Sequence, residues 1–406
     1  LAGHYSEAEK LANELVQEAD GADGVELRLA ARRAVIEARS LMGAPAATTL
    51  AAYEDLLAEA SAAEAPRERV LLLTLISDLH ARHGAWGDAQ RLAREARDGA
   101  TILDDRELMA DATIRLGTAL LDTSPHTAQQ HFAEAAGLYA AIGNRFGHAR
   151  CMVNTGIAYQ RLGQAAEAEL SYREGLALAE GANSVDLMGL AALNLGVLLT
   201  RCGRYDPAEE QFQRAMRSFA KVKNEPRRAA TLYNLAHLAY EQGDAAKAQG
   251  LAQASADLAT ELGITPLRMG ALARVGLAAL ALGAREEVAR VAGILAAELP
   301  ANGWFTGREC VEAFEARRAL HDGDHRGAQR AFVRAAEAVG NDPYDLAWLV
   351  AECSALFRTA AATPELRRLG LRARQDAERY GFGPLAKRLT LIALDVASPT
   401  SRHGTS

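Results

Sequence analysis

A set of small and aromatic residues returns every 40 positions along most of this 406-residue chain. Gly156, Gly163, Ala168 and Tyr172 are followed 40 residues later by Gly196, Gly203, Ala208 and Phe212. The phase continues through Ala236, Gly243, Ala248 and Ala252, then Gly276, Gly283 and Ala292, then Ala316, Gly323, Ala328 and Phe332. Backwards, the pattern recurs at Gly117 with Ala128 and Phe132, and at Ser77 with Gly84, Ala89 and Ala93. A period in this range means stacked supersecondary units, because one unit cannot bury its apolar face alone. Within each copy the apolar residues keep helical spacing and are broken once, by a glycine, so each reads as helix, turn, helix. Small residues on both helices let the backbones approach, and the aromatic four positions later fills the remaining space.

Composition agrees with helices. Hydrophobic residues make up 49%, aromatics only 5%, and the formal charge is −7, so no basic field draws the chain to nucleic acid or anionic lipid. Cys151, Cys202, Cys310 and Cys353 form no C-x-x-C pair, which fits a reducing cytoplasm better than a zinc or disulfide scaffold. No apolar run approaches the roughly 20 residues of a membrane span. Only five of the 45 basic residues are lysine, a codon-level hint of a GC-rich bacterial genome.

The residues L-G-x-x-Y-like in the first helix, the turn glycine and A-x-x-x-F-like in the second resemble the tetratricopeptide repeat (TPR). The likeness is strongest over 149–262 and weakest after about 340. The longer period resembles kinesin-light-chain-like solenoids and the C-terminal sensors of bacterial STAND, SARP and maltose-regulator-like transcription regulators. The resemblance implies an all-α, right-handed superhelix of about ten helix pairs. It comprises a truncated first repeat at 1–24, in-register repeats at 25–340 and a degenerate capping repeat at 341–397. One solenoid then spans 1–397, ahead of a disordered tail at 398–406. Residues 5–19 carry Ala8, Ala12 and Leu15 of a second helix without its first, so the chain is expected to continue a longer polypeptide.

Motifs of catalysis are not found: no phosphate-binding glycine loop, no H-E-x-x-H and no G-x-S-x-G. His321 and His325 flank a turn at Gly323 and read as solvated, and His80 occupies a position usually held by a core tyrosine. The run 367–374, rich in arginine, reads as the exposed face of a capping helix. Trp304, Phe305, Trp348 and Phe357 read as core. No cofactor, metal or enzymatic activity is expected.

The sharpest polar feature is Asn154, Asn194 and Asn234, one repeat apart at the same position of successive first helices, flanked in phase by Arg115 and Arg274. Asparagine is a mediocre helix former, so three in mid-helix call for a reason. Their amides suit an extended peptide backbone, and resemblance to kinesin-light-chain-like solenoids implies such a ladder. The other reading is that they pin adjacent first helices together, and both can hold. With Arg150, Arg161, Arg201 and His237 they define an expected groove for a protein or peptide with acidic and hydrophobic side chains. The expected function is a non-catalytic, cytoplasmic sensor or scaffold region of a bacterial transcription regulator. Its partners are a peptide or protein and the upstream domains of the same polypeptide, with no membrane or direct nucleic-acid contact. A stand-alone adaptor, or the regulatory tail of a nucleotide cyclase or kinase, are the alternatives.

Overall fold

The computed structural model describes residues 10, 11, 13, 14, 24–41, 45–298, 307–340, 342–358 and 362–392. The expected half-repeat face (Ala8, Ala12, Leu15), the tail 398–406, and Trp304 with Phe305 lie outside them. From Val25 onward there are twenty helices, and no strand among the described residues. The chain is an all-α solenoid of helix hairpins.

Two compact units divide it, Leu1–Ala191 and Ala192–Ser406. The first holds α1 (Val25–Leu41), α2 (Ala46–Ala62), α3 (Pro66–Arg82), α4 (Trp86–Ile102), α5 (Arg106–Leu120), α6 (Pro125–Ala141), α7 (Arg145–Arg161) and α8 (Ala165–Gly181). The division falls within α9 (Val185–Arg201). The second unit continues with α10 (Tyr205–Lys221), α11 (Glu225–Glu241), α12 (Ala245–Glu261), α13 (Thr265–Leu282), α14 (Arg285–Glu298), α15 (Arg308–His321) and α16 (His325–Val339). It ends in α17 (Pro343–Glu352), α18 (Ser354–Phe357), α19 (Pro364–Arg379) and α20 (Gly383–Thr390).

The 40-residue period is two identical halves. Every helix from α6 to α12 is 17 residues long, and three residues separate each from the next. In every one of those turns the middle residue is left-handed: Gly143, Gly163, Asn183, Gly203, Lys223, Gly243 and Gly263. The amide after it returns to the carbonyl five residues back, as Asn144 does to Tyr139 and Asn224 to Phe219. That is the Schellman closure, which satisfies carbonyls the helix end would orphan. The same amide-bearing residue often caps the following helix, Asn224 accepting from the Arg227 N–H and Asp244 from that of Lys247. Sequence reading places a turn glycine inside each repeat. The turns between repeats share its geometry with Glu64, Asp104, Asn183 and Lys223 at φ of 52–54°, where a side chain is disfavoured.

The small residues of the first helices touch aromatic rings. A Cβ on Gly156 would lie 2.5 Å from Tyr172, and one on Gly117 2.6 Å from Phe132. In the second unit Gly196 meets Phe212 in the same way. At Gly276 the repeat has Ala292 where the repeats of Gly156 and Gly196 carry an aromatic, and Phe314 of α15 fills the space from the next repeat. Ala168, Ala208, Ala248 and Ala328 are fully buried, which is why alanine dominates the composition. Trp348 and Phe357 are buried, as expected of core residues.

One expectation needs amendment. By length and composition α13 could cross a membrane. Most of it is packed inside the second unit, and it carries a buried arginine, Arg274, at mid-length. It is the central helix of that core, alongside buried Met269, Val275 and Leu277.

Candidate ligand-binding face

In the first unit the arginines of the first helices reach back by one repeat. Arg115 of α5 donates to Asp78 of α3, and Arg150 of α7 donates to Asp111 of α5. Arg161, at the end of α7, pairs with Asp122 at 3.3 Å. Tyr139 joins the second pair, its hydroxyl donating to Asp111 at 2.6 Å and accepting from Arg150 at 2.9 Å. Burial pushes the Tyr139 hydroxyl well above its ordinary pKa, Arg150 opposing and Asp111 assisting, so it stays a donor at neutral pH. Cys151 next to Arg150 is pushed up to about 12 by burial and is not a reactive thiol. The aspartates were not singled out in the sequence, although each lies 37 or 39 residues before its arginine, the signal that finds them.

The asparagines do three different things. Asn154 is half-buried on α7. Asn194 on α9 buries its Nδ2 without a hydrogen-bond partner. Asn234 on α11 donates to the carbonyl of Ala230 in its own helix at 2.9 Å.

In the second unit the same face is covered by the end of the chain. Asp342 caps α17, accepting from the N–H groups of Tyr344 (3.0 Å) and Asp345 (3.2 Å). Both of its oxygens also accept from Arg201 Nη1, at 3.1 and 3.0 Å, and Arg201 Nη2 reaches Asp345 at 3.4 Å. Asp342 is buried and its carboxylate is satisfied on both sides, the condition under which a buried ion pair is tolerated. Arg201 also lies over the Tyr344 ring, 4.7 Å from its centroid. One turn on, the Tyr344 hydroxyl lies 3.2 Å from Nε2 of His237. Because Nδ1 of His237 faces Arg274 Nη1 at 2.8 Å, and arginine only donates, Nδ1 accepts and Nε2 carries the proton. Withdrawal from water, then Arg274, Arg201 and Arg388, hold His237 well below its ordinary pKa and therefore neutral.

Further along, Glu352 collects three partners: the Tyr240 hydroxyl at 2.8 Å, Arg317 and Arg388. Glu241 lies 3.6 Å from Arg388, yet burial raises its carboxyl to about 7 against that attraction. Pro384 of α20 stands against the turn glycine Gly203, where a Cβ would lie 2.5 Å from its ring. Of the expected groove residues, the structure thus brings Asn234, Arg201, His237 and Arg274 together with Tyr344 and Trp348 around one cavity of about 170 Å³. Arg115, Arg150, Asn154 and Arg161 stand in the other unit. At the expected turn at Gly323, Asp324 caps α16. Among the described residues no three His, Cys, Asp or Glu side chains converge as metal ligands.

These features belong to a known class. The family model "Tetratricopeptide repeat" matches residues 187–261, and the chain is a tetratricopeptide-repeat solenoid. Among curated proteins it is 26% identical over 225 residues to "Regulatory protein AfsR" of Streptomyces griseus, an alignment covering 55% of this chain and 22% of that protein. The aligned part thus spans about a fifth of the relative's length. Among solved structures it is similar to a signal transduction ATPase with numerous domains (STAND) with a tetratricopeptide repeat sensor, from Pyrococcus horikoshii. The TM-score is 0.55 at 14% identity, covering 71% of this chain and 44% of that one. It is also similar to the Rap conjugation gene regulator of plasmid pLS20, solved in complex with the Phr* peptide. There the TM-score is 0.52 at 12% identity, covering 87% of this chain and 98% of that one. At these identities the structural likenesses concern the fold.

Proposed function

We propose that the chain is a protein- or peptide-binding regulatory TPR region, the sensor or scaffold part of a larger bacterial transcription regulator that works in the cytoplasm. The observation that carries this is the occupied face of the second unit. There the first helices hold a chain segment by its acidic cap, Asp342 and Asp345, and by its aromatics, Tyr344 and Trp348. A face that grips its own chain through arginine, histidine and apolar floor suits a partner segment of like chemistry. The first unit offers Arg115, Arg150, Asn154, Ile157 and Arg161 for such a partner, and in the second unit Asn194 and Asn234 repeat the helix position of Asn154. The likeness to AfsR and to a STAND sensor supports upstream domains of the same polypeptide as the second partner. The solved Rap complex with a peptide supports peptide as ligand class.

The test is selection of a random displayed-peptide library on the full chain. Enrichment of peptides combining acidic and apolar residues is expected. Their binding is lost in the N154A/N194A/N234A variant while its circular dichroism and melting stay close to wild type, each amide contributing about 1 kcal/mol. No enrichment, or enrichment of basic peptides, overturns the reading. A sharp drop in melting with binding intact makes the asparagines a stacking device.

A further inference from the structure

Arg274 sits in the middle of α13 and is 5% exposed. Its Nη2 donates to the Tyr233 hydroxyl at 2.9 Å and its Nη1 to His237 at 2.8 Å. Both partners are neutral. A guanidinium carries five N–H donors, and these bonds use two. Its Nε is buried with no hydrogen-bond partner. The faces of the group rest 4.5 Å from the Tyr233 centroid and 5.9 Å from that of Trp348. Among the described residues no carboxylate comes within ion-pair distance of it, whereas Arg201 in the same wall has both Asp342 and Asp345. Glu241 and Glu309 act on it only through space, and a buried charge with no carboxylate in contact is unfavourable, since waters solvate it without neutralising it.

Arg274 lines the cavity of about 170 Å³ described above, whose other walls include Asn234, His237, Tyr344 and Trp348. An apolar cavity of about 150 Å³ accommodates benzene, so this volume admits a ligand of a few heavy atoms. We propose that the cavity binds a small monocarboxylate, its two oxygens on the unused N–H groups of Arg274 and its apolar end against Trp348 and Tyr344. The planar fork of arginine matches a carboxylate bidentately. Glu309 and Asp345 also line the cavity and disfavour a dianion such as phosphate more than a monoanion. Since the walls come from α9, α10, α11, α13, α15 and α17, a ligand there ties α17 to the repeats beneath it. Asn234 is shared with the proposed amide ladder, but this site rests on Arg274 and is tested without a peptide.

The experiment titrates the full chain with butyrate at constant ionic strength, following melting temperature and tryptophan fluorescence. 1-Butanol is the uncharged four-carbon control and phosphate the dianion. Saturable binding of butyrate, with little response to the other two, is expected. Arg274→Met and Arg274→Lys should each weaken it on the order of tenfold or more, as the loss of a bidentate charged contact does. Val197 of α9 also lines the cavity; Val197→Phe, which fills it and keeps the charge, should abolish binding with folding intact, and it keeps the test decisive if the arginine variants do not fold. No saturable butyrate response, an equal response to 1-butanol, stronger binding of phosphate, or wild-type binding by any of the three variants would each overturn the proposal.

Discussion

Both units carry arginines on their first helices, with Arg161 and Arg201 at the same position one period apart, and use them differently. In the first, Arg115 and Arg150 pair sideways with aspartates one repeat back, so the face is stitched along its own length. In the second, Arg201 pairs with Asp342, 141 residues further along, because helix α17 lies over that face. Periodicity sets where a side chain starts from. What covers the face decides what it binds and how far it is withdrawn from water. The consequence is energetic as well as geometric: Arg150 and Asp111 keep about a third of their side chains exposed, while Asp342 keeps 3%.

The comparison can be broken by removing one partner on each side. Arg201→Ala strands the buried Asp342 carboxylate and is expected to cost about 3–5 kcal/mol. Arg150→Ala leaves a half-exposed aspartate that keeps its Tyr139 bond, and should cost about 1 kcal/mol or less. Urea unfolding measures both. Hydrogen exchange in α17 should rise sharply only for the first, and equal costs would erase the distinction.

A second effect belongs to the covered face alone. Burial raises Glu241 to about 7, with Arg388 and Arg274 opposing, Glu352 assisting and the Trp348 indole lowering it. A carboxyl whose folded pKa lies above its unfolded value binds its proton more tightly when folded. Its contribution is therefore complete below about pH 4.5 and is lost as pH rises through about 7. The Glu241→Gln variant should melt higher than wild type above pH 7, by the equivalent of about 3 kcal/mol at most, and lose the advantage towards pH 4.5. A constant difference across that range refutes the assignment. Among the titrating groups of the first unit, Tyr139 and Cys151 are held protonated throughout, so no matching slope is expected from them.

The smallest effect should be the same in both units. Asp104 and Lys223 occupy left-handed turn positions that glycine fills elsewhere. Asp104→Gly and Lys223→Gly should each stabilise by about 0.5–1 kcal/mol, since local sterics decide it. Thermal melts of the two variants check this, and a destabilisation in one unit only would show that the side chain there has a tertiary partner.

Much of this architecture was legible in advance. Gly156 with Tyr172, Gly196 with Phe212 and the turn glycines Gly163, Gly203 and Gly243 repeat at 40 residues, and the structure uses them as the pattern implies. The equivalent turns at Glu64, Asp104 and Lys223 were not legible, because a non-glycine residue at positive φ carries no mark in the sequence. Nor was the place of Phe314, which replaces a missing aromatic from the neighbouring repeat. The site divides along the same line. The arginines and asparagines stood out by their register, and the aspartates Asp78 and Asp111 could have been found at one repeat's distance.

What the sequence determined by itself is the repeating unit: helices of fixed length, turns of three residues, and small residues facing rings. Those features arise between residues at most a few dozen positions apart, so a period records them. Only the tertiary structure decided that Arg201, His237 and Arg274 turn towards Asp342, Tyr344 and Trp348 around a shared cavity. Those contacts join segments about 70 to 140 residues apart in which the period has faded, and no local regularity encodes which helix folds back onto which face.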